Sequence, residues 1–546
     1  MTTMDTHVPS AEDTLGPGFA CLADWVTTTD HKKIGRLYLG AGALTALASL
    51  VIAGLLAAER IDIDRELLGG GSLTQLFTLQ RFGLLYLTLA PIVVGVAVAV
   101  VPLQVGARSI AFPRLAAAGF WAWLVGAGLA VYAVIMNGGP GGGEPRFVDL
   151  FILATMLTMA GLLASIGSVA VTVLTTRAPG MNLRRLPYLA WSSLVMALAL
   201  VVAVPALLGL LLYLYMGHHY PSLADFSGNQ AFGGVVGFGF SQPFTVVFLL
   251  PVLGFVADAV ATATHRKVGP RGPIMIGMGL LGLGFMSVVV QGAPGLRTGF
   301  RHLDFFWDKV QELIPFGIAY CLPALGALLV VGPALQSLRR KPSVQPGLAF
   351  AVPAALLALL GATAAILSGI GDAALGGTVY EEGTMGAIVA AGILGGAGAL
   401  LHWLPKFNGR TVSGAKVAPL ALLGLLGGVL VSVPMMIAGF ADQPGGIFPT
   451  VAGDSEIVNF QGVSGPVALW NSLALVGFAL LALVVVGTLA LALFGGSKDA
   501  GDDPYDGLTL EWATTSPAPR HNFDAIHIVR SAEPLADLKI SNRSDA

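Results

Sequence analysis

About twelve long apolar runs constrain this chain more than any other feature of its sequence. They lie at about 37–58, 81–104, 115–137, 149–175, 188–216, 235–263, 273–292, 312–334, 348–370, 384–405, 417–439 and 467–494. A helix needs roughly 20 apolar residues to cross a bilayer core, and it satisfies its own backbone hydrogen bonds there. The runs are continuous and rich in Leu, Ala and Gly, which argues against alternating strands. The sequence therefore predicts an all-α, polytopic membrane protein with about twelve transmembrane helices.

Composition narrows the function classes further. Hydrophobic residues make up 55% of the 546-residue chain and charged residues 11%, whereas a soluble chain carries about 25% charge. That difference excludes a soluble enzyme and a disordered chain, and a net charge of −2 argues against a nucleic-acid partner. The two cysteines, Cys21 and Cys321, are too few for a disulfide scaffold or for a Cys-built zinc or iron–sulfur site.

The loop charges alternate along the predicted spans. Basic residues precede the first span and follow each even-numbered span up to the tenth, as Arg339 and Arg340 do after the eighth. The opposite loops hold mostly acids, such as Glu381 and Glu382. Because cytoplasmic loops carry the excess of Lys and Arg, we expect a multi-pass protein of the plasma membrane with both termini in the cytoplasm.

The same pattern divides the chain into three parts. We expect a cytoplasmic N-terminal segment at 1–36, a twelve-helix membrane domain at 37–494, and a polar cytoplasmic tail at 495–546.

Three local groups lie at or near the ends of spans. His218 and His219 are expected in a solvated loop, and His402 is expected to anchor the tenth span at the membrane interface. Asp258, near the end of the sixth span, is expected to pair with a loop cation.

Four segments resemble subunit I of the haem–copper oxidases. They read DWVTTTDHKKIGRLYL at 24–39, VPLQVGARSIAFPR at 101–114, HWLPKFNGR at 402–410, and DGLTLEWATTSPAPRHNF at 506–523. They occur in the order that the family has, and with the predicted spans between them they extend over nearly the whole chain, from 24 to 523. The resemblance implies the family fold of twelve helices arranged in three arcs.

The resemblance also implies six histidine ligands. In the family, helices two and ten hold a low-spin haem, helix ten also holds a high-spin haem, and helices six and seven hold copper. This sequence has nine histidines, with none between positions 32 and 217 and none between 303 and 401. The second predicted span, and the tenth before its last turn, therefore contain no imidazole.

The family's ligand positions fall on other residue types here. They are Gln80 in the second span, Gln242 in the sixth, Gln291 and Gly292 in the seventh, and, near the start of the tenth, Gly383 and Met385. Gln is a weak ligand for haem iron, because its oxygen and amide nitrogen are neutral and weakly basic. We therefore expect no catalytic residue, no metal site and no cofactor, and we expect haem and copper only if the chain is an oxidase.

These observations predict a non-catalytic, subunit I-like membrane subunit that serves as a scaffold or anchor in a respiratory electron-transfer complex. The implied partners are subunit II-like or III-like proteins or a dehydrogenase, together with lipid or quinone, and no nucleic acid. Two alternatives remain open. One is a terminal oxidase, acting on cytochrome c or quinol, that reduces oxygen with proton translocation. The other is a lipid or quinone conduit through the vacated cavities.

Overall fold

The structure is a computed structural model, and it describes most of the chain. The described residues are 17–62, 67–68, 70–139, 142–220, 244–286, 310, 313–370, 373–445, 450–452, 455–457, 465–498, 500–525 and 528–544. Two of the residues singled out above, Gln242 and Gln291, lie outside these ranges, and so does Gly292.

Helices dominate the described residues. They are α1 (Pro17–Val26), α2 (His31–Glu59), α3 (Gly70–Phe82), α4 (Ala90–Gln104), α5 (Pro113–Ile135), α6 (Pro145–Thr175), α7 (Tyr188–His219), α8 (Leu249–Thr264), α9 (Arg271–Gly282), α10 (Leu322–Ser337), α11 (Pro346–Ser368), α12 (Val379–His402), α13 (Leu404–Asn408), α14 (Gly414–Phe440), α15 (Val467–Phe494) and α16 (Pro534–Ser544). A π-helical segment, Gly83–Leu89, joins α3 to α4, and a second one, Gly317–Cys321, leads into α10.

Strands are few and short where the structure describes the chain. β1 (Arg410–Thr411) pairs antiparallel with β4 (Ser497–Lys498), and β2 (Thr450–Ala452) pairs antiparallel with β3 (Ser455–Ile457). Eleven helical stretches are long and apolar enough to cross a membrane, and the shorter apolar stretch Arg271–Met286 covers the described part of the seventh predicted span. The prediction of an all-α, polytopic membrane protein is confirmed.

Three spans form the centre of the bundle. In the most apolar window of each span, the share of buried residues is 100% for Gln75–Gln104, 94% for Thr245–Thr264 and 94% for Val379–His402, against 39–56% for the other eight. A helix that is apolar on all sides and fully buried is typical of a central position. The second, sixth and tenth predicted spans, which carry most of the family's ligand positions, are therefore the core of the fold.

Small residues allow close helix packing around this core. Between α5 and α6, a Cβ atom added to Gly161 would lie 2.4 Å from the backbone nitrogen of Trp123. Such backbone-to-backbone approach is the usual way in which helices associate within membranes, where lipid is as apolar as a side chain.

Candidate functional site

The predicted ligand positions that the structure describes are buried. Gln80 lies in α3 with 1% of its surface exposed, and its Oε1 atom has no hydrogen-bond partner among the described residues. Met385 lies in the second turn of α12 and is also buried. The structure thus places both side chains in the interior of the bundle.

Gly383 packs directly against α14. A Cβ atom added to Gly383 would lie 2.7 Å from the carbonyl oxygen of Ser432 and 2.9 Å from the backbone nitrogen of Met436. Real Cβ atoms do not approach backbone atoms so closely. An imidazole-bearing residue at this position would therefore have to displace α14.

Apolar side chains fill the space between the central helices. The cavity between α4, α8 and α12 measures about 10 Å³ and is lined by residues such as Ile92, Val252 and Phe255. The neighbouring cavity beside α15 measures about 40 Å³. Sites for drug-sized ligands have volumes of about 300–1,000 Å³. These two cavities between the central helices are therefore too small for such a ligand.

The end of the bundle where the tail lies, here called the tail end, holds a group of buried polar side chains. His402 is 1% exposed, its ring stacks on Tyr505 at 5.2 Å, and it meets Trp512 edge-on at 5.3 Å. The prediction that His402 anchors at the membrane interface is wrong, because Tyr505 and Trp512 of the tail cover it.

Asp258 bonds to backbone and amide groups instead of a loop cation. Its two carboxylate oxygens accept from the backbone nitrogens of Tyr188 at 3.0 Å and Leu189 at 2.9 Å, at the start of α7. It also accepts from Gln104 Nε2 at 3.0 Å. The expected ion pair is not found among the described residues. The first N–H groups of α7 stabilise the negative charge of the Asp258 carboxylate instead.

Lys406 binds the tail through hydrogen bonds to its backbone carbonyl groups. Its Nζ atom donates to the carbonyl oxygens of Asp502 at 2.7 Å and of Thr514 at 2.5 Å, and it lies over the ring of Trp512. Burial lowers the pKa of Lys406 to about 8. The side chain therefore gives up hydration to satisfy tail carbonyl groups, which fixes the tail against α13.

Asn522 makes a second tail contact. Its Nδ2 atom donates to the carbonyl of Ala107 at 2.8 Å, and its Oδ1 atom accepts from Lys32 Nζ at 3.0 Å and lies 3.0 Å from His31 Nε2. The tail is thereby tied both to α2 and to the loop after α4.

Replacing Asn522 with Ala is expected to lower the free energy of unfolding by about 1–3 kcal/mol, because it leaves a buried ammonium group short of an acceptor. Thermal unfolding of the purified chain in detergent measures the change. His521→Ala, at the exposed neighbouring position, is the control. Equal unfolding temperatures for the two variants would contradict a stabilising role for the Asn522 contacts.

At the opposite end, His218 and His219 terminate α7. Their Nδ1 atoms lie 2.8 and 2.6 Å from the two oxygens of Asp149 in α6. They are partly exposed, so the prediction of a solvated position holds, although they belong to a helix end and not to a loop. No cluster of three or more metal-ligating side chains occurs within the described ranges.

Comparisons with known proteins point to one family. The family model described as "Cytochrome C and Quinol oxidase polypeptide I" matches residues 33–292. A protein of Aeropyrum pernix named "Heme-copper oxidase subunit I+III" is 28% identical over 93% of this chain and 62% of its own length. "Cytochrome c oxidase subunit 1" of Bacillus subtilis is 26% identical over 94% of this chain and 83% of its own length. "Probable cytochrome c oxidase subunit 1-beta" of Nocardia farcinica is 27% identical over 96% of this chain and 89% of its own length.

These comparisons correct one expectation. The prediction that the chain has no cofactor is wrong, because the family that it matches and the relatives named above imply haem and copper. The described residues do not fit these groups in the arrangement shown, since Gly383 abuts α14 and the central cavities measure about 10 and 40 Å³.

The similarity and the fold agree. The matched residues run from the start of α2 to beyond α9, and the relatives align over more than nine tenths of the chain. The long apolar helices are those that a polytopic subunit I requires. The chain therefore belongs to the haem–copper oxidase subunit I-like superfamily.

Proposed function

We propose that this chain is a non-catalytic, subunit I-like membrane subunit that acts as a scaffold or anchor in a respiratory electron-transfer complex. The observation that carries this function is the close packing of α12 at Gly383, where an added Cβ would lie 2.7 Å from the backbone of α14. Oxygen reduction in this family needs ligand positions on several central helices at once. A haem or copper held elsewhere in the chain is compatible with the scaffold role.

The tail end supports the same function. All four family-like segments meet there through buried contacts, in which Gln104 reaches Glu511, Lys406 reaches Thr514, and Asn522 reaches both Ala107 and Lys32. A subunit that keeps its ordered tail surface while its interior is filled by apolar side chains has the features expected of a scaffold. This end, with residues 1–36 and 495–546, would face the cytoplasm, and 37–494 would lie in the plasma membrane.

The printed name of one relative supports the proposed partner subunits. The Aeropyrum pernix relative is named as a fused subunit I+III, which favours a subunit III-like partner for this chain. A subunit II-like protein, or a dehydrogenase that needs a membrane anchor and access to quinone, fits the same role. Lipid surrounds the exposed apolar faces of the bundle in each case.

Oxygen uptake by the complex tests the function. We expect the chain, purified together with its partner subunits, to show no oxygen consumption with reduced cytochrome c or with quinol. The Bacillus subtilis relative, prepared in the same way, is the positive control. Oxygen uptake that is lost in a Gln80→Ala variant, and kept in an Arg108→Ala variant at an exposed loop position, would contradict the scaffold role.

A terminal oxidase is the second candidate function, and the names of the relatives favour it. It would require Gln80 and Met385, or side chains of a partner subunit, to replace imidazole ligands. The unpartnered Oε1 atom of Gln80 is the described group best placed for such a role. The conduit for lipid or quinone has weaker support. The cavities between the central helices measure about 10 and 40 Å³, and the apolar groove of about 550 Å³ lies further out, between α10 and α11.

A further inference from the structure

Two buried carboxyl groups share one amide where the tail meets the bundle. Gln104 Nε2, at the end of α4, lies 3.0 Å from Asp258 Oδ2 and 3.1 Å from Glu511 Oε1. Asp258 belongs to α8, and Glu511 belongs to the tail, 253 residues further along the chain. Their exposed fractions are 6% and 1%. Two like charges this close in a buried site cannot both be stable.

The hydrogen bonds divide the two carboxyl groups into different states. Asp258 accepts from two backbone nitrogens at the start of α7 as well as from Gln104, and such donors stabilise the ionised form. Glu511 Oε2 has no partner among the described residues, and neither has Gln104 Oε1. A proton on Glu511 would supply the donor that this group of acceptors lacks.

The surrounding charges do not pair directly with Glu511. Lys406 donates to tail carbonyl groups, and Lys539 of α16 bonds to Asp503. The further titratable groups that face this part of the tail are His402 on α12, whose ring meets Trp512, and Asp537 on α16, whose Oδ2 atom is buried. Within the described residues, no cation lies within 4 Å of the Glu511 carboxylate.

We propose that Glu511 is a proton-binding site that couples docking of the tail to protonation, so that the neutral acid keeps the tail docked and the carboxylate loosens it. The coupling follows from the position of Glu511 on the tail, because undocking is what returns its carboxylate to water. It does not depend on whether the chain reduces oxygen.

The titration of Glu511 sets the direction of the effect. Burial, followed by the charge of Asp258, raises the pKa of Glu511 from 4.5 to about 7. An acid whose pKa is higher in the docked state binds its proton more tightly there, so docking is fully favoured below pH 4.5. Docking then weakens as the pH rises from 4.5 to about 7 and is constant above that.

Hydrogen exchange of the full-length chain in nanodiscs tests the coupling. Protection factors are measured for peptides within 505–523 between pH 4.5 and 8, with the intrinsic pH dependence of exchange removed. His31 and His402 also lie against the tail and titrate in both chains, so the effect of Glu511 is the ratio of protection in the natural chain to that in Glu511→Gln. We expect this ratio to fall by up to about tenfold per pH unit across the window and to level off above pH 7. Glu511→Gln carries no titrating proton at this position, so its own profile serves as the reference.

Asp524→Asn, at an exposed tail position, is the matched control and is expected to keep the natural slope. Infrared spectra of chain labelled with ¹³C-glutamate provide a readout that needs no substitution, because a buried protonated carboxyl band should be present at pH 5.5 and lost above pH 8. The same slope in the natural chain and in Glu511→Gln, or the absence of that band, would overturn the proposal.

Discussion

Replacing Glu382 with Ala is expected to lower the free energy of unfolding by about 3–5 kcal/mol, because it leaves the Arg60 guanidinium buried without its counter-ion. The two side chains form a bidentate pair, with Nη1 to Oε2 at 2.9 Å and Nη2 to Oε1 at 2.8 Å. Their exposed fractions are 1% and 3%. The pair joins the end of α2 to the first turn of α12, so its loss weakens the attachment of a central helix.

Chemical denaturation in detergent micelles measures this loss. Glu381→Gln, at the neighbouring and partly exposed position, is the control and is expected to change stability by less than about 0.5 kcal/mol. The double variant Arg60→Met with Glu382→Leu removes both charges, and it should recover most of the loss, since an apolar pair of similar volume needs no desolvation. A loss below about 1 kcal/mol for Glu382→Ala would show that the pair is hydrated.

The bundle could be predicted from the sequence because each membrane span is a local property. A run of about 20 apolar residues is sufficient to identify a helix in lipid, and the spans that became α5, α11 and α14 lie within a few residues of the predicted bounds. The ends were less accurate. α7 extends to His219 instead of 216, because Asp149 of α6 binds the two terminal histidines and extends the helix beyond its apolar run.

The tail end could not be predicted, because its contacts join residues that are far apart in the sequence. Trp403 and Lys406 have the composition of an interfacial anchor, and only the tail, about 100 residues later, shows that they are buried. Asp258 has cations in the next loop, yet its partners begin a helix 70 residues earlier. The sequence shows directly which residues occupy positions 80, 383 and 385. The contact of Gly383 with α14 appears only in the folded structure, because it depends on how the two helices pack.

Replacing Phe255 with Ala is expected to cost about 3–5 kcal/mol of stability, because a large aromatic side chain would leave a cavity that the central helices cannot close. Phe255 is 1% exposed and meets Trp403 edge-on at 5.7 Å. Its ring also fills the space over Gly398, where an added Cβ would lie 2.8 Å from its Cζ atom. The side chain thus holds α8 against α12.

The matched control is Phe494→Ala, which removes the same side chain at the end of α15, where 84% of it is exposed. Thermal unfolding in detergent should separate the two variants clearly, with the control close to the natural chain. Equal effects would contradict the packing of Phe255 between α8 and α12, because a side chain that is already exposed leaves no cavity when it is removed.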